Sequence, residues 1–296
     1  MQWIPRLVLV GIVVAATTGC VNTALLTSSL SAQEAVSGEP FTWEGELAAG
    51  NQVKIIGRNG RIRAEPSSSG QVEVHGERRG HYADEIRIEV TEHADGVTIE
   101  AVYPERDWWP RGWFGPSPRI NFSVAVPADV DLVARSRNGS VAAEGLDGDV
   151  DVETRNGSVT LTGIVGDARA VTRNGSVTVT ADGNADLRTR NGRIRVEAGG
   201  RARARTRNGS VNATLGSADW TGDAAFETRN GSVTVRVPET IDADVSIRTD
   251  RGSIRTDLAV DAHTDKRRHL EGRLGNGGRD LRLKTRNGSI RLLAAE

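Results

Sequence analysis

Six arginines, Arg155, Arg173, Arg190, Arg207, Arg229 and Arg286, each stand directly before an Asn-Gly pair. The asparagines at 138, 156, 174, 191, 208 and 230 follow one another at intervals of 18, 18, 17, 17 and 22 residues, and a last one stands at 287. A residue type that returns at one phase of a repeat forms a column when the repeats stack. Guanidinium groups in a column can grip carboxylate or phosphate oxygens two at a time, which suits an anionic polymer such as a phosphate-bearing glycan or lipopolysaccharide. Acids lie close by in the same repeats, Glu153 and Glu227 among them. The mixture favours a plainer reading, in which these acids neutralise the column and keep an outward wall soluble. Nucleic acid is not an expected partner, because 38 basic and 39 acidic residues leave a net charge of −1 and so no global attractive field.

A different chemistry sits near the N-terminus. Arg6 precedes an apolar run from Leu7 to Ala16, and Thr17-Thr18-Gly19-Cys20 follows. Ten apolar residues are too few to cross a bilayer as a helix, but they suit a cleaved export signal. Small residues ending in cysteine resemble the lipobox of bacterial lipoproteins, with Thr17 departing from the usual leucine. Cys20 is the only cysteine, so neither a disulfide nor a cysteine zinc site competes for it. The expectation is a signal over 1–19, a membrane partner reached through lipidated Cys20, and a flexible tether over 20–40 rich in Ser, Thr and Ala.

The remaining motifs carry less. Trp108, Trp109, Trp113 and Phe114 fall within a proline-rich stretch from Tyr103 to Arg119, which must be a loop. They form either a plug over an exposed coil or a contact surface for an envelope glycan or protein, the plug being preferred because exposed tryptophans promote aggregation. Asp147, Asp149 and Asp151 look like part of a calcium loop but lack the glycine and distal glutamate of an EF-hand. The five histidines have no metal-binding spacing, and no nucleophile elbow or phosphate loop occurs. Carboxylates that could cleave a glycan are scattered among arginines. No enzyme activity, cofactor or metal is therefore expected. The Asn-Gly-Ser sequons read as structural corners, not glycosylation sites.

The elements that would position the arginines are short strands. Val150, Val152 and Thr154 alternate before Asn156-Gly157, and Val159 and Leu161 after it; this pattern returns around Asn138-Gly139, Asn174-Gly175, Asn191-Gly192, Asn208-Gly209, Asn230-Gly231 and Asn287-Gly288. Two all-β architectures fit. In an antiparallel meander or sandwich each Asn-Gly closes a hairpin, whereas in a single-stack β-solenoid it turns a corner between two walls. The solenoid is preferred, because equivalent asparagines would then be neighbours about 4.8 Å apart, close enough for a side-chain ladder. Glycine is expected at the corner for its access to positive φ. The array should run from 41 to 296, with Gly216 to Asp223 bulging from one side and Asp257 to Arg279 as a longer interruption.

Phe41 to Arg63, the strand Phe122-Ser123-Val124-Ala125-Val126-Pro127, the Gly148-Asp149-Val150 to Asn156-Gly157-Ser158-Val159 units and the closing Leu281 to Leu292 segment resemble the bacterial putative-adhesin family of β-strand-repeat proteins, a domain of unknown function. That resemblance implies a secreted or surface β-solenoid without an assigned enzyme activity. Together with the lipobox it makes the expected protein a lipid-anchored, non-catalytic binding or structural module, exported to the periplasmic side of a membrane or to the cell surface. The alternatives are a glycan-processing β-helix enzyme and a periplasmic accessory of a signalling system.

Overall fold

A computed structural model describes residues 40–80, 82–104, 117–217 and 220–295. The described residues form a β-solenoid with two walls, one a 12-stranded and the other a 13-stranded sheet. Each regular coil contributes one strand to the larger sheet, turns at Asn-Gly and contributes the next strand to the smaller sheet. Val150–Asn156 and Val159–Ile164 make one such coil, and Ala168–Asn174 and Val177–Ala181 make the next. The first strands of the two coils pair in parallel with Val150 opposite Ala168, Thr154 opposite Thr172 and Asn156 opposite Asn174. The second strands likewise set Val159 against Val177. A meander would instead have paired Val150–Asn156 with Val159–Ile164 in one sheet; here they lie in different walls.

Alternation fills the narrow space between the walls. Val150, Val152, Val159 and Leu161 are each at most 1% exposed, and the intervening residues face outward. Because half of each strand points away, one coil buries too little apolar surface to fold alone and depends on its neighbours for the rest. Val, Ala, Ile and Leu make up most of this core, and Phe122 and Phe226 are the largest fully buried side chains in it.

A threonine column closes the corner from inside. Thr154, Thr172, Thr189, Thr206, Thr228, Thr249 and Thr285 are all at most 8% exposed. Each donates its hydroxyl to a corner-glycine carbonyl of the neighbouring coil, as Thr172 does to Gly157 at 3.0 Å. Valine has the same shape but no donor. Thr172→Val is therefore expected to cost about 1–3 kcal/mol through the stranded carbonyl, measurable as a lower denaturation midpoint; an unchanged midpoint would mean that water satisfies the oxygen.

The order of coils departs from chain order at both ends. The coil made of Gln52–Ile56 and Ile62–Pro66 stacks directly on Asp131–Asn138 and Val141–Glu144. The coil of Gly96–Val102 and Arg119–Val126 lies outside it. At the far end the coil of Asp280–Asn287 and Ile290–Ala294 is inserted between Ala224–Glu227 with Val233–Val237 and the later-stacked Ala243–Arg251 with Ile254–Thr256. Coils with an Asn-Gly corner thus occupy the interior of the stack, where both faces need a matching neighbour. Coils without one lie outside them.

Two expectations are corrected here. Asp257 to Arg279 is not a mere interruption: Asp261–Lys266 and His269–Leu274 form an antiparallel pair that extends the larger sheet beyond Ala243–Arg251. Antiparallel strands also border the opposite end, where Phe41–Gly45 and Val72–Arg79 extend the smaller sheet and Arg87–His93 the larger. Such additions move the sheet edges away from the regular coils. Trp220, in the segment expected to bulge, turns inward and is 2% exposed, with the Arg279 guanidinium 5.9 Å from its ring centroid. An apolar ring of this size is better placed in the core than on a solvent-facing loop.

Candidate functional site

The corner side chains follow from strand parity. Thr154 points inward, Arg155 outward, and Asn156 sits where the chain leaves the wall. In-register stacking then converts one corner into a continuous edge. The Asn156 side-chain amide donates to the Asn138 side-chain oxygen at 2.8 Å, and Asn174 donates to Asn156 at 2.7 Å. The series continues unbroken through Asn191, Asn208, Asn230 and Asn287, and at its start Asn138 donates to Asn59 at 2.9 Å. The corner glycines permit this approach. A Cβ placed on Gly175 would lie 2.0 Å from the Gly157 carbonyl oxygen, although its φ of 158° is close to extended backbone. Close contact between coils, more than positive φ, is what demands glycine.

Beside the ladder runs a groove of about 1140 Å³, lined by nine arginines, eight asparagines, Tyr103, Pro104, Ser117 and Pro118. It brings together Arg155, Arg173, Arg190 and Arg207, expected from the repeat, and Arg229 and Arg286 with them. Arg58, Arg137 and Arg251 complete the row. Arg58 and Arg137 also precede an Asn-Gly, and Arg251 stands in the place of the asparagine in the degenerate copy Thr249-Asp250-Arg251-Gly252, opposite Asn287, so the signal was present in the chain.

The acids expected to neutralise this row are engaged elsewhere. Glu153 lies 3.8 Å from Arg135, Asp151 lies 2.6 Å from Arg135, and Glu227 lies 3.0 Å from Arg205. Distance explains the choice: residues two apart on a strand are separated by almost 7 Å, whereas equivalent positions on adjacent coils are about 4.8 Å apart. Glu153 and Glu227 therefore pair sideways within their own column, which carries Arg135 and Arg205, and leave the corner column alone. Among the described residues, Arg137, Arg155, Arg173, Arg190, Arg207 and Arg229 have no ion-pair partner; Arg286 has one at 3.9 Å, Asp250. Like charges at this spacing repel by up to about 1 kcal/mol per neighbouring pair in water. Hydrogen bonds of the ladder, each worth about 0.5–1.5 kcal/mol, are of the size needed to hold the column together.

Tyr103 finishes one end of the edge. Its hydroxyl donates to the Asn59 carbonyl at 2.9 Å, which also accepts the Ile120 amide of the outer coil at 3.0 Å, and accepts the Asn59 amide at 3.1 Å. Burial raises the phenol above its ordinary pKa, so it remains a neutral donor. The Arg58 guanidinium lies 5.7 Å from its ring centroid, and the Asn59 side chain donates to the Pro118 carbonyl at 3.2 Å.

The corner where each coil enters the larger sheet uses a different device. Asp149 accepts the Asp167 amide at 2.7 Å, and Asp131 accepts that of Asp149 at 2.8 Å. Of the aspartates that resembled a calcium loop, Asp149 is thus a backbone acceptor and Asp151 an ion-pair partner of Arg135 and Arg169. The described residues contain no group of three or more His, Cys, Asp or Glu arranged to hold a metal. Cys20, Trp108, Trp109, Trp113 and Phe114 lie outside the described residues.

A putative adhesin of Bacteroides fragilis is similar over 86% of this chain and 98% of its own, at 15% identity and a TM-score of 0.49. A putative cell adhesion protein of Clostridium sporogenes matches over 87% of this chain and 100% of its own, at 10% identity and a TM-score of 0.30. A putative adhesin of Parabacteroides distasonis matches over 87% and 98%, at 11% identity and a TM-score of 0.24. No curated protein matches the chain. The family model described as Toastrack DUF4097 matches residues 51–293, nearly the whole stack from the first Asn-Gly coil to the last strand, and the chain belongs to that family.

Proposed function

We propose that this protein is a non-catalytic binding module of the cell envelope, and that its corner groove holds an anionic polymer. The observation that carries this reading is the row of corner arginines, of which Arg137, Arg155, Arg173, Arg190, Arg207 and Arg229 have no ion-pair partner among the described residues. Anionic groups placed along it would relieve the mutual repulsion of the column and form charge-assisted, two-pronged hydrogen bonds. The groove is furnished for holding: guanidinium groups, carboxamides and a half-buried phenol line it, whereas glycan hydrolysis ordinarily requires a pair of carboxyl groups. An adhesin-like role is compatible with this chemistry. Equilibrium binding of the purified protein to an acidic envelope polysaccharide fraction tests it; no binding near 0.15 M salt, where exposed charges are already screened beyond about 8 Å, would reject it.

Attachment to a membrane is part of the same proposal and rests on the apolar run before Cys20. A diacylated Cys20 would give the two chains that stable anchoring requires. Fractionation of cells expressing Cys20→Ala should move the protein out of the membrane fraction. Retention equal to wild type would remove the anchor from the account.

A further inference from the structure

We infer that the occupant of the groove is a linear acidic polysaccharide of the polyuronate type, lying along the solenoid axis with about one acidic sugar per coil. This rests on the reading of the groove as a polyanion site and narrows it to one class of polymer.

The groove repeats a pair of groups, not a charge alone. Every regular coil presents one corner guanidinium beside one ladder carboxamide, as in Arg155 with Asn156 and Arg173 with Asn174. Each interior asparagine spends one of its two amide hydrogens and one of its two oxygen lone pairs on the ladder, leaving one donor and one acceptor per coil for a ligand. A polymer that satisfies both must carry an anionic group and neutral hydroxyls in every repeat. A uronic acid unit has both: its carboxylate meets a guanidinium and its ring hydroxyls meet the free carboxamide positions.

Spacing points the same way. Parallel, in-register pairing fixes the step along the edge at about 4.8 Å, and the bridges between asparagines of successive coils keep that step through the array. A 1,4-linked pyranose advances by nearly the same distance. Condensed phosphate repeats its charge at well under one coil, and an extended polynucleotide at well over one. A nucleic acid strand would also need a series of faces on which bases stack; among the described residues Tyr103 is the one aromatic side chain lining the groove, and it is held at an end by Asn59. Val165 is the one exposed large hydrophobic among the described residues, so these residues offer no counterpart to a lipid or an apolar protein anchor. Nine arginines at this step span about 38 Å, so the groove should read about nine sugars.

The test is calorimetric titration of the purified full chain in mild detergent with oligogalacturonates of about four, nine and fourteen sugars, near 0.15 M salt. Fully methyl-esterified oligomer, polyphosphate and single-stranded DNA of matched charge serve as comparisons. Affinity should rise at least about tenfold from four to nine sugars and little beyond, because the added sites are then already occupied. The neutral ester should not bind, and polyphosphate and DNA should bind at least about tenfold more weakly than the nine-sugar chain. Arg173→Gln with Arg190→Gln should weaken the nine-sugar chain at least about tenfold while leaving the four-sugar chain, which can use the remaining coils, much less affected; a melting curve equal to wild type verifies that this variant is folded. If polyphosphate or DNA binds as tightly as the uronate, the polysaccharide assignment fails while the anionic-polymer reading stands. If none of the polyanions binds, both fail.

Discussion

Gly175→Ala is expected to destabilise the stack by about 3 kcal/mol or more, although it adds one methyl group at a position that is not fully buried. The added Cβ would meet the Gly157 carbonyl oxygen at 2.0 Å, and that oxygen already accepts the Thr172 hydroxyl. Neither partner is a flexible side-chain end. Relief requires separating two coils, which disturbs the Asn156–Asn174 bond and the pairing on both walls. Overpacking of well-ordered structure typically costs about 1–3 kcal/mol, and backbone against backbone belongs at the upper end. Gly70→Ala is the informative comparison. Gly70 has φ of +76° with nothing within 4 Å of an added Cβ, so it should lose only the about 1–2 kcal/mol of a left-handed alanine. If the two variants melt alike, backbone conformation rather than coil contact accounts for the corner glycines.

Arg173→Glu combined with Arg190→Glu is expected to reduce affinity for an anionic polymer by at least about 100-fold, because hydrogen bonds to charged groups contribute about 1.5–3 kcal/mol each and two are replaced by repulsion. Stability should move the other way. Both side chains are exposed and have no ion-pair partner among the described residues, and the new carboxylates would sit between Arg155 and Arg207 in the column. The melting midpoint should therefore be unchanged or slightly raised. A fall in stability parallel to the fall in binding would mean that the arginines are structural.

Much of this edge was legible in the chain. Identical Thr-Arg-Asn-Gly units imply identical environments, and strand parity alone puts Thr172 inside and Arg173 outside. The ladder could be expected once parallel stacking was preferred, because only then are Asn156 and Asn174 neighbours. What was not legible depends on who neighbours whom. Nothing local says that Asn59 stacks on Asn138 across 79 positions or that Asn287 precedes Arg251 in the stack. The fate of Glu153 was misjudged for the same reason. Its nearest arginine in the chain is Arg155, but its nearest in space is Arg135 on the adjacent coil, and the difference reverses the electrostatic character of the corner. Trp220 belongs with these cases, since an insertion in a repeat reads as an outward bulge unless the width of the core beside it is known.

The claim on which everything else depends is that the corner arginines, not the arginines of the adjoining wall, hold the polymer. Side-chain Nε–Hε resonances of arginine, followed by NMR while oligogalacturonate is added to the protein, separate the two populations directly. Arg155, Arg173, Arg190, Arg207 and Arg229 should shift together and exchange more slowly with water, while Arg135 and Arg205, already paired with Asp151 and Glu227, should keep their positions. Shifts confined to the wall arginines, or distributed evenly over both sets, would contradict the account.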